Sequence, residues 1–336
     1  MMRMRIGSFI GAVVILAAIV LHSVNPWAHA AAMARTDGPP GNLSAWTLAY
    51  SDDFTASVLN TQSWSTCYWW AVGANGCAAP NGELERYLPQ NVSVHDGTLD
   101  LQALHQQYAL NGKTYPYTSG MVSSAGKYGF LYGYMEARVK VPSGQGYWPA
   151  FWSLAADHTP PTELDTMELL GNDPHTIYVG AHYADSQKVH HHQGTPLTGP
   201  DFSTDFHTVG VDWAADHLTF YVDGVSKYSI TNAAVIPQRA LYLILNLAVG
   251  GTWPGAPDAT TTFPGHYLVD WVRVWQHTGT QPLPTTIPTP GAPNATPTVP
   301  PATTVPSPTA NSSPTPTSVP RPPATPTPVV SGTPSP

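Results

Sequence analysis

The stretch TELDTMELLG, residues 162–171, sets three carboxylates into an otherwise apolar run. They are Glu163, Asp165 and Glu168, in a chain of 336 residues of which only 10% are charged. The apolar residues around them are of the kind that strands bury: Leu164, Met167, Leu169 and Leu170. Because one side of such a strand would be buried, we expect the acids to line a cleft. A solvent-facing strand that happens to be acidic is the alternative.

The spacing of the three acids does not fit a regular strand. Strict alternation puts Glu163, Asp165 and Met167 on one face and Glu168 on the other. One extra residue at Thr166 or Met167, a β-bulge, brings all three acids to the same face. Glu163 and Glu168 are then about four strand steps apart, or about 13 Å of backbone, which leaning side chains can largely close. The stretch therefore predicts a bulged strand with its carboxylates on one face.

Paired carboxyl groups on a rigid strand suit the hydrolysis of a glycosidic bond. Retaining glycosidases use two carboxyl groups about 5 to 5.5 Å apart, one as nucleophile and one as acid and then base. Asp165, which lies between the glutamates, would hydrogen-bond the nucleophile and keep the glutamates in different protonation states. A calcium site is another use of such a cluster, although one strand seldom supplies enough oxygen ligands alone.

The region from Trp46 to Gln276 consists of many short segments with strand character. They alternate or run apolar and are separated by Gly, Asp and Asn: LDLQAL, GYMEARVKV, TVGVDW, LTFYVDGV, YLILNLAV and YLVDWVRVWQ. No segment has a sustained helical period with caps, and Asp223-Gly224 is a hairpin signal. The pattern predicts an all-β domain over residues 46–277, a concanavalin-like jelly-roll sandwich of two curved antiparallel sheets.

The two ends of the chain have a different composition. Residues 1–30 contain Arg3 and Arg5, an apolar run and the sequence Ala28-His29-Ala30, which predicts a secretory signal peptide followed by a short leader over residues 31–45. An uncleaved membrane anchor is the alternative. Residues 278–336 are rich in Pro, Thr and Ser, and we expect a disordered linker or stalk, with cell-wall association as one use of it.

The two cysteines predict a disulfide, and the net charge limits the kinds of macromolecule that the protein would bind. Cys67 and Cys77 are the two cysteines of the chain, and in an exported protein a pair this close most simply forms a disulfide. Two free thiols are the alternative. The formal net charge is -8 and no basic cluster occurs, so a nucleic acid is not expected as a partner. Nothing in the sequence indicates an interface, and a monomer is the default expectation.

The segment E-L-D-T-M-E, Glu163 to Glu168, resembles the E-x-D-x-x-E signature of glycoside hydrolase family 16, in the bulged form of laminarinase-like β-1,3-glucanases. Longer stretches are similar to the family in the same order: YSDDF, NGELERYLPQNVSVHDGTLDLQA, GKYGFLYGYMEARVKVPSGQGYWPAFWSL, DFHTVGVDWAADHLTFYVDG and LYLILNLAVGGTWPGAPDATTTFPGHYLVDWVRVWQ. The resemblance implies a secreted enzyme that cleaves a β-1,3- or mixed β-1,3/1,4-glucan internally with retention. It assigns Glu163 as nucleophile, Glu168 as general acid and base, and Asp165 as the assisting residue.

Two departures leave the substrate open. The segment AADHTPPT, residues 155–162, lacks the Gly- and Trp-containing stretch that many laminarinase-like members carry. The bulged signature also occurs in subgroups that act on agar, carrageenan or mixed-linkage glucans. A hydrolase of another matrix polysaccharide, a transglycosylase and a glucan-binding protein without activity are therefore the alternatives.

Aromatic and polar side chains are the candidates for sugar binding. Trp148 and Trp152 lie four residues apart on one side of a regular strand, and Trp253 lies on a Gly/Pro loop. A core position is the alternative for the first two. The resemblance adds His182 as a cleft residue, where a core histidine is the usual explanation, and adds Asn81 and Glu83 as residues near the cleavage point.

Two regions of the sequence are candidates for metal binding. The triplet His190, His191 and His192 suggests a metal, but neighbouring side chains on a strand diverge, and we interpret the triplet as a polar loop. Asp270, with backbone carbonyls near Gly97 and in the SDDF segment, resembles the family's structural calcium position. No cofactor is expected for catalysis.

Overall fold

The computed structural model describes residues 38–71, 76–78 and 81–278. The predicted signal peptide, the leader up to residue 37 and the predicted tail from residue 279 lie outside these residues. Within the described residues no helix has the length and apolar character needed to span a bilayer. The same described ranges contain three short 3-10 helices, at Leu43–Ala45, Trp69–Ala71 and Pro89–Asn91.

Strands dominate the described residues, as the sequence predicts. They are β1 (Trp46–Asp52), β2 (Glu85–Tyr87), β3 (Val92–His95), β4 (Thr98–Ala103), β5 (Tyr108–Leu110), β6 (Lys113–Tyr115), β7 (Tyr117–Ser119), β8 (Met121–Ser123), β9 (Gly133–Lys140), β10 (Tyr147–Ala155), β11 (Glu163–Leu169), β12 (Thr176–Ala184), β13 (His190–Thr198), β14 (His207–Trp213), β15 (Leu218–Val222), β16 (Val225–Ile230), β17 (Leu241–Val249) and β18 (Gly265–His277).

Two antiparallel sheets contain most of these strands. The larger one has eight strands in the order β16-β15-β14-β9-β18-β4-β3, with β1 also paired to β18. The other has six strands in the order β13-β12-β11-β10-β17-β8. Neighbours in space are often distant in sequence, as in a jelly roll. The predicted all-β jelly-roll class is confirmed.

The hydrophobic core lies between the two sheets. Alternate residues of β9, such as Met135 and Ala137, project into it from the eight-stranded sheet, and alternate residues of β17, such as Leu243 and Leu245, project from the six-stranded sheet. This period of two follows from the pleat of a strand. Each fully buried large apolar side chain contributes about 1.5 to 3 kcal/mol, so the core fixes which face of every strand points outward.

The predicted bulge lies in β11, at the centre of the six-stranded sheet. Trp152 of β10 opposes Asp165, and Phe151 of β10 opposes Met167, so that Thr166 has no partner in this register. The pairing of β11 with β12 shifts between Asp165 and Glu168 as well. The extra residue turns Glu168 to the face that already carries Asp165.

Two local predictions are also confirmed. The hairpin between β15 and β16 turns through Asp223 and Gly224, which have φ values of 48° and 72°, as a two-residue turn of the mirror-image type requires. Cys67 and Cys77 form a disulfide with their Cα atoms 5.7 Å apart. Cys77 also bridges to Tyr87 of β2, which attaches the disulfide-closed segment to the sheet region.

Deleting Thr166 tests the structural role of the bulge. Without Thr166 the remaining residues of β11 alternate strictly, so Leu164, Met167 and Leu169 stay in the core and the acids stay outward. We expect the free energy of unfolding, measured by urea denaturation, to change by no more than about 1 kcal/mol. The matched control is deletion of Leu164, which removes a core side chain and turns Asp165 or Glu163 inward, and it should cost about 3 kcal/mol or more. Equal stability of the two variants would contradict the assigned register.

Candidate active site

The three acids of β11 project from the outer face of the six-stranded sheet. Leu164, Met167 and Leu169 of the same strand are buried in the core, so Glu163, Asp165 and Glu168 occupy the opposite face. The backbone of Asp165 is flanked on both sides by paired strands, and this residue is only 2% exposed. The Glu163 side chain is 31% exposed. The acids therefore lie on a rigid support, and the two glutamates remain reachable from outside.

Register places the two glutamates four strand steps apart. Glu163 opposes Leu154 of β10 and Glu168 opposes Ala150, a backbone separation of about 13 Å at about 3.3 Å per step. Asp165 lies between them opposite Trp152. This is the arrangement that the sequence predicts for residues 163–168, with the bulge in place.

Tryptophans of β10 flank the acids. The Trp148 indole Nε1–H donates a hydrogen bond of 3.0 Å to Glu168 Oε1, and the Trp148 ring meets the Trp253 ring edge to face at 5.3 Å. Trp253 also contacts Tyr178 of β12 at 4.7 Å between ring centroids. Each of these tryptophans is partly exposed. Trp148 therefore orients one catalytic candidate, and with Trp253 it forms an aromatic wall beside it.

Trp152 is held through a residue that the sequence analysis missed. Its indole N–H donates to Asn246 Oδ1 at 2.7 Å, and the Asn246 amide donates to the Tyr87 hydroxyl at 3.0 Å. Asn246 is the polar residue in the apolar run LYLILNLAV of β17, and it is 6% exposed. A buried amide costs free energy unless it is paired, so a lone Asn in such a run is the signal that could have identified it.

Burial and mutual repulsion raise the pKa of all three acids. Burial raises the pKa of Glu163, and a hydrogen bond with Asp165 partly offsets this. Burial together with repulsion from Glu163 raises the pKa of Glu168. Burial and the charges of both glutamates raise the pKa of Asp165 well above its usual value. Since the three cannot all ionise near neutral pH, they share protons as a coupled group.

His182 lies in the cleft beside the acids. It opposes Glu163 across the β11–β12 pair, and its Nε2 is 3.5 Å from Asp165 Oδ2 and 3.9 Å from Glu163 Oε1. Its Nδ1 is 2.8 Å from His190 Nε2. Burial lowers the pKa of His182 to about 4, so the ring is neutral at pH 7. A neutral ring adds no positive charge that would favour ionisation of the acids.

The interpretation of the histidine triplet as a polar loop is wrong. All three residues lie on β13, which pairs with β12 at the edge of the six-stranded sheet. Side chains do alternate here, so His191 points to the other face and meets Asp185 at 2.8 Å. His190 and His192 share the face of His182, and His192 opposes it directly. Residues two apart on a strand project from the same face, so His190 and His192 converge although His191 does not.

Asn81 and Glu83 pack against the loop that carries Trp253. Leu84 N–H donates to Val249 O at 2.8 Å, which fixes this segment beside the end of β17. A Cβ built on Gly251 would lie 3.5 Å from Glu83 Cγ. Glu83 Oε2 is buried without a hydrogen-bond partner, and burial raises the pKa of this acid. The segment therefore borders the aromatic wall, and its contact with a sugar stays a prediction.

Asp270 does not belong to this cluster. It lies on β18 of the eight-stranded sheet and forms an ion pair of 2.5 Å with Arg138 of β9. Gly97 occupies the turn between β3 and β4 with a φ of 73°. A carboxylate beside a guanidinium is already neutralised, which does not favour a calcium ligand at Asp270. The calcium site stays a prediction.

The outer sheet face of this jelly roll carries two glutamates and an aspartate beside an aromatic wall. These are the features of a glycoside hydrolase. The sequence model of Glycosyl hydrolases family 16 matches residues 86–273. The chain therefore belongs to glycosyl hydrolase family 16, a class of glycoside hydrolases.

Individual relatives agree with this assignment. The chain is 32% identical to a beta-glucanase of Rhodothermus marinus, covering 69% of this chain and 85% of the relative. It is 31% identical to glucan endo-1,3-beta-glucosidase A1 of Niallia circulans, over 70% of this chain but only 38% of that protein. The laminarinase catalytic domain of Thermotoga maritima superposes with a TM-score of 0.62 and 34% identity, covering 69% of this chain and 99% of that domain.

Glu85, which was not a candidate from the sequence, is a buried acid whose protonation can be tested through the pH dependence of stability. It is fully buried on β2, accepts a hydrogen bond from Val249 N–H at 2.8 Å through Oε2, and leaves Oε1 unpartnered. Burial, with added repulsion from Glu83, raises its pKa from 4.5 to about 8. The folded chain thus holds a proton that the unfolded chain releases above about pH 4.5.

We expect Glu85→Gln to become progressively more stable than wild type as pH rises. Between pH 5 and 8 the unfolded wild type binds fewer protons than the folded one, so wild-type stability falls by at most about 1.4 kcal/mol per pH unit from this residue. Urea denaturation from pH 5 to 9 measures the difference, which should level off above pH 8.

The control for this test is Asp258→Asn. Hydrogen bonds from the Thr260 hydroxyl and N–H lower the pKa of Asp258, so its contribution is complete above pH 5 and is lost only at lower pH. Its stability difference from wild type should stay constant between pH 5 and 9. A constant difference for Glu85→Gln as well would contradict the raised pKa.

Proposed function

We propose that this chain is a secreted, retaining endo-β-glucanase that hydrolyses β-1,3- or mixed β-1,3/1,4-glucans. The observation that carries the proposal is that Glu163 and Glu168 project from the same face of the six-stranded sheet, with a hydrogen bond from Trp148 to Glu168. The names of the β-glucanase and laminarinase relatives support the substrate class. Retention is part of the proposal on the resemblance of residues 163–168 to the family signature, and it requires the two carboxyl groups to lie about 5 to 5.5 Å apart.

The raised pKa values support distinct roles for the two glutamates. The hydrogen bond from Asp165 favours the ionised form of Glu163, which attacks the anomeric carbon, and repulsion from Glu163 favours a protonated Glu168, which donates its proton to the leaving oxygen. Glu168, now ionised, then removes a proton from a water molecule that displaces Glu163 from the sugar. Proton and charge return to their starting positions at the end of the cycle.

Asp165 controls the nucleophile in this scheme. It hydrogen-bonds Glu163 and is buried deeply enough to remain protonated near neutral pH. A protonated Asp165 donates its O–H to Glu163, which stabilises the ionised form of the nucleophile before attack and releases it as the bond to sugar forms. His182, neutral and beside both acids, adds no competing positive charge.

Three tryptophans beside the acids are suited to bind a sugar chain. Trp148, Trp152 and Trp253 are partly exposed and fixed by hydrogen bonds or ring contacts, so their faces are held ready for the apolar faces of glucose rings. Asn81 and Glu83 border the same wall and are proposed to bind sugar hydroxyls. The outer face of the six-stranded sheet would in this way hold several residues of an unbroken glucan, which favours internal cleavage.

Secretion and a cell-wall role of the tail belong to the proposal. The basic, apolar and small-residue regions of residues 1–30 support export, and the Pro/Thr-rich segment 278–336 supports a spacer function. The acidic net charge of -8 is consistent with an uncharged polysaccharide partner rather than a nucleic acid.

A hydrolase of another matrix polysaccharide is the second candidate. One relative, 28% identical over 68% of this chain, is the keratan-sulfate endo-1,4-beta-galactosidase of Sphingobacterium multivorum. Initial rates on laminarin, lichenan, agarose, carrageenan and keratan sulfate, with products resolved by length, distinguish the two. The proposal requires the highest rates on laminarin or lichenan. Products longer than those of hydrolysis, formed at high substrate concentration, would indicate transglycosylation.

Replacing either glutamate by glutamine tests the assigned roles. Glu163→Gln should lower kcat on laminarin by about a thousandfold or more, because no nucleophile remains. Glu168→Gln should lower it by about a hundred- to ten-thousandfold, with much less loss on an aryl glucoside whose leaving group needs no proton. Initial rates on both substrates measure this contrast.

The matched control is Asp216→Asn, an exposed acid in the turn between β14 and β15. It removes a carboxylate in the same way but lies on the eight-stranded sheet, so its rates should equal those of wild type. Wild-type rates of either glutamate variant would overturn the mechanism.

A further inference from the structure

A cluster of metal-binding side chains lies next to the catalytic acids. Oxygen of Asp165 and one ring nitrogen each of His182 and His192 lie within 4.8 Å of one another. In residues 38–71, 76–78 and 81–278, no other group of three His, Cys, Asp or Glu side chains has this arrangement. We propose that the cluster binds a divalent transition-metal ion of the Zn²⁺ or Cu²⁺ class, and that the bound ion inhibits hydrolysis.

The ligand types and one distance already suit such an ion. Imidazole nitrogen with a carboxylate oxygen is a donor set that Zn²⁺ and Cu²⁺ prefer. In a tetrahedral site with ligands about 2.0 to 2.1 Å from zinc, neighbouring ligand atoms are about 3.4 Å apart. His182 Nε2 and Asp165 Oδ2 are 3.5 Å apart. One ring nitrogen of His192, which is exposed at the edge strand, lies within 4.8 Å of a ligand atom of each of the other two residues.

A buried oxygen of Asp165 without a hydrogen-bond partner is an independent observation that favours a bound cation. The Oδ2 atom of Asp165 is buried and accepts no hydrogen bond, in a residue that is 2% exposed. A buried carboxylate oxygen without a partner costs free energy. A cation held by His182 and His192 would lie directly beside this oxygen and remove that cost.

His190 orients the first histidine ligand. The contact of 2.8 Å between His182 Nδ1 and His190 Nε2 leaves His182 Nε2 directed at Asp165. With the proton on Nδ1, the Nε2 lone pair is available to a metal. Histidine ligands in metal sites are characteristically fixed by such a hydrogen bond through the other ring nitrogen.

Two glycines make room for the second histidine ligand. A Cβ built on Gly180 would lie 2.5 Å from His192 Nε2, and a Cβ on Gly194 would lie 2.7 Å from the same atom. Gly180 is the residue of β12 that opposes Asp165. The absence of both side chains therefore allows the His192 ring to lie over β12, beside the residue that opposes Asp165.

A bound ion would act on the nucleophile. Glu163 Oε1 is 3.9 Å from His182 Nε2, so it lies at the edge of the proposed site. The ion would take Asp165 as a ligand and leave it unable to donate a proton to Glu163, which would also be drawn toward the positive charge. Both effects remove the conditions that attack on the anomeric carbon requires.

Calorimetric titration of untagged protein with ZnCl₂ at pH 7 tests the site directly. Wild type should bind one ion per chain, and His192→Ala should weaken this binding at least tenfold. His191→Ala is the matched control, because this neighbour on the same strand points to the other face and meets Asp185. It should bind as wild type does, with circular dichroism confirming that each variant is folded.

Inhibition is the second arm, and it rests on the proposed hydrolysis, whereas the calorimetric arm does not. Zn²⁺ should lower laminarin hydrolysis by wild type and by His191→Ala, EDTA should restore it, and His192→Ala should need at least tenfold more Zn²⁺. Equal affinities of wild type and His192→Ala, or no binding by wild type, would overturn the site. Tight binding without inhibition would overturn the inhibitory role alone.

Discussion

A single unpaired residue in a central strand determines what this fold can do. Thr166 has no partner in the register between β10 and β11, and residues on either side of it would otherwise alternate strictly between core and surface. The core requires Leu164 before the bulge and Met167 after it to point inward. Because Thr166 stands among them, the three acids share the outer face only if this residue bulges out of the register.

The electrostatics of the cleft follow from this shared face. Three carboxyl groups on one partly buried strand repel one another and are poorly solvated, which raises the pKa of each. Neighbouring strands offset this repulsion only in part, through the Trp148 indole beside Glu168 and through His190, whose charge lowers the pKa of Glu163, while the ring of His182 is neutral. Protons are consequently retained near neutral pH, and one acid and one base can coexist on the same strand.

How far the sequence predicts the structure depends on how local each feature is. The bulge, the Asp223-Gly224 hairpin and the disulfide could be predicted because spacing or residue type within a few positions determines them. The histidine triplet could not, because its strand assignment depends on pairing with β12 rather than on strand propensity. Asp270 illustrates the same limit, since its partner Arg138 lies 132 residues away along the chain.

Buried polar residues were the other features that the sequence did not identify. Asn246 and Glu85 acquire their roles from packing between strands that are distant in sequence, at Trp152 and at Val249. An apolar run interrupted by one amide is a usable signal for the former. For Glu85 the segment NGELERY gives no indication that one of its two glutamates is completely buried.

Trapping of the glycosyl-enzyme tests the central claim most directly. A 2-deoxy-2-fluoro laminari-oligosaccharide with a reactive leaving group slows the second step, so the covalent intermediate accumulates and peptide mass spectrometry locates it. The account predicts one sugar per chain, attached to Glu163. Attachment to Asp165 or Glu168, or turnover of the substrate without any covalent species, would contradict it.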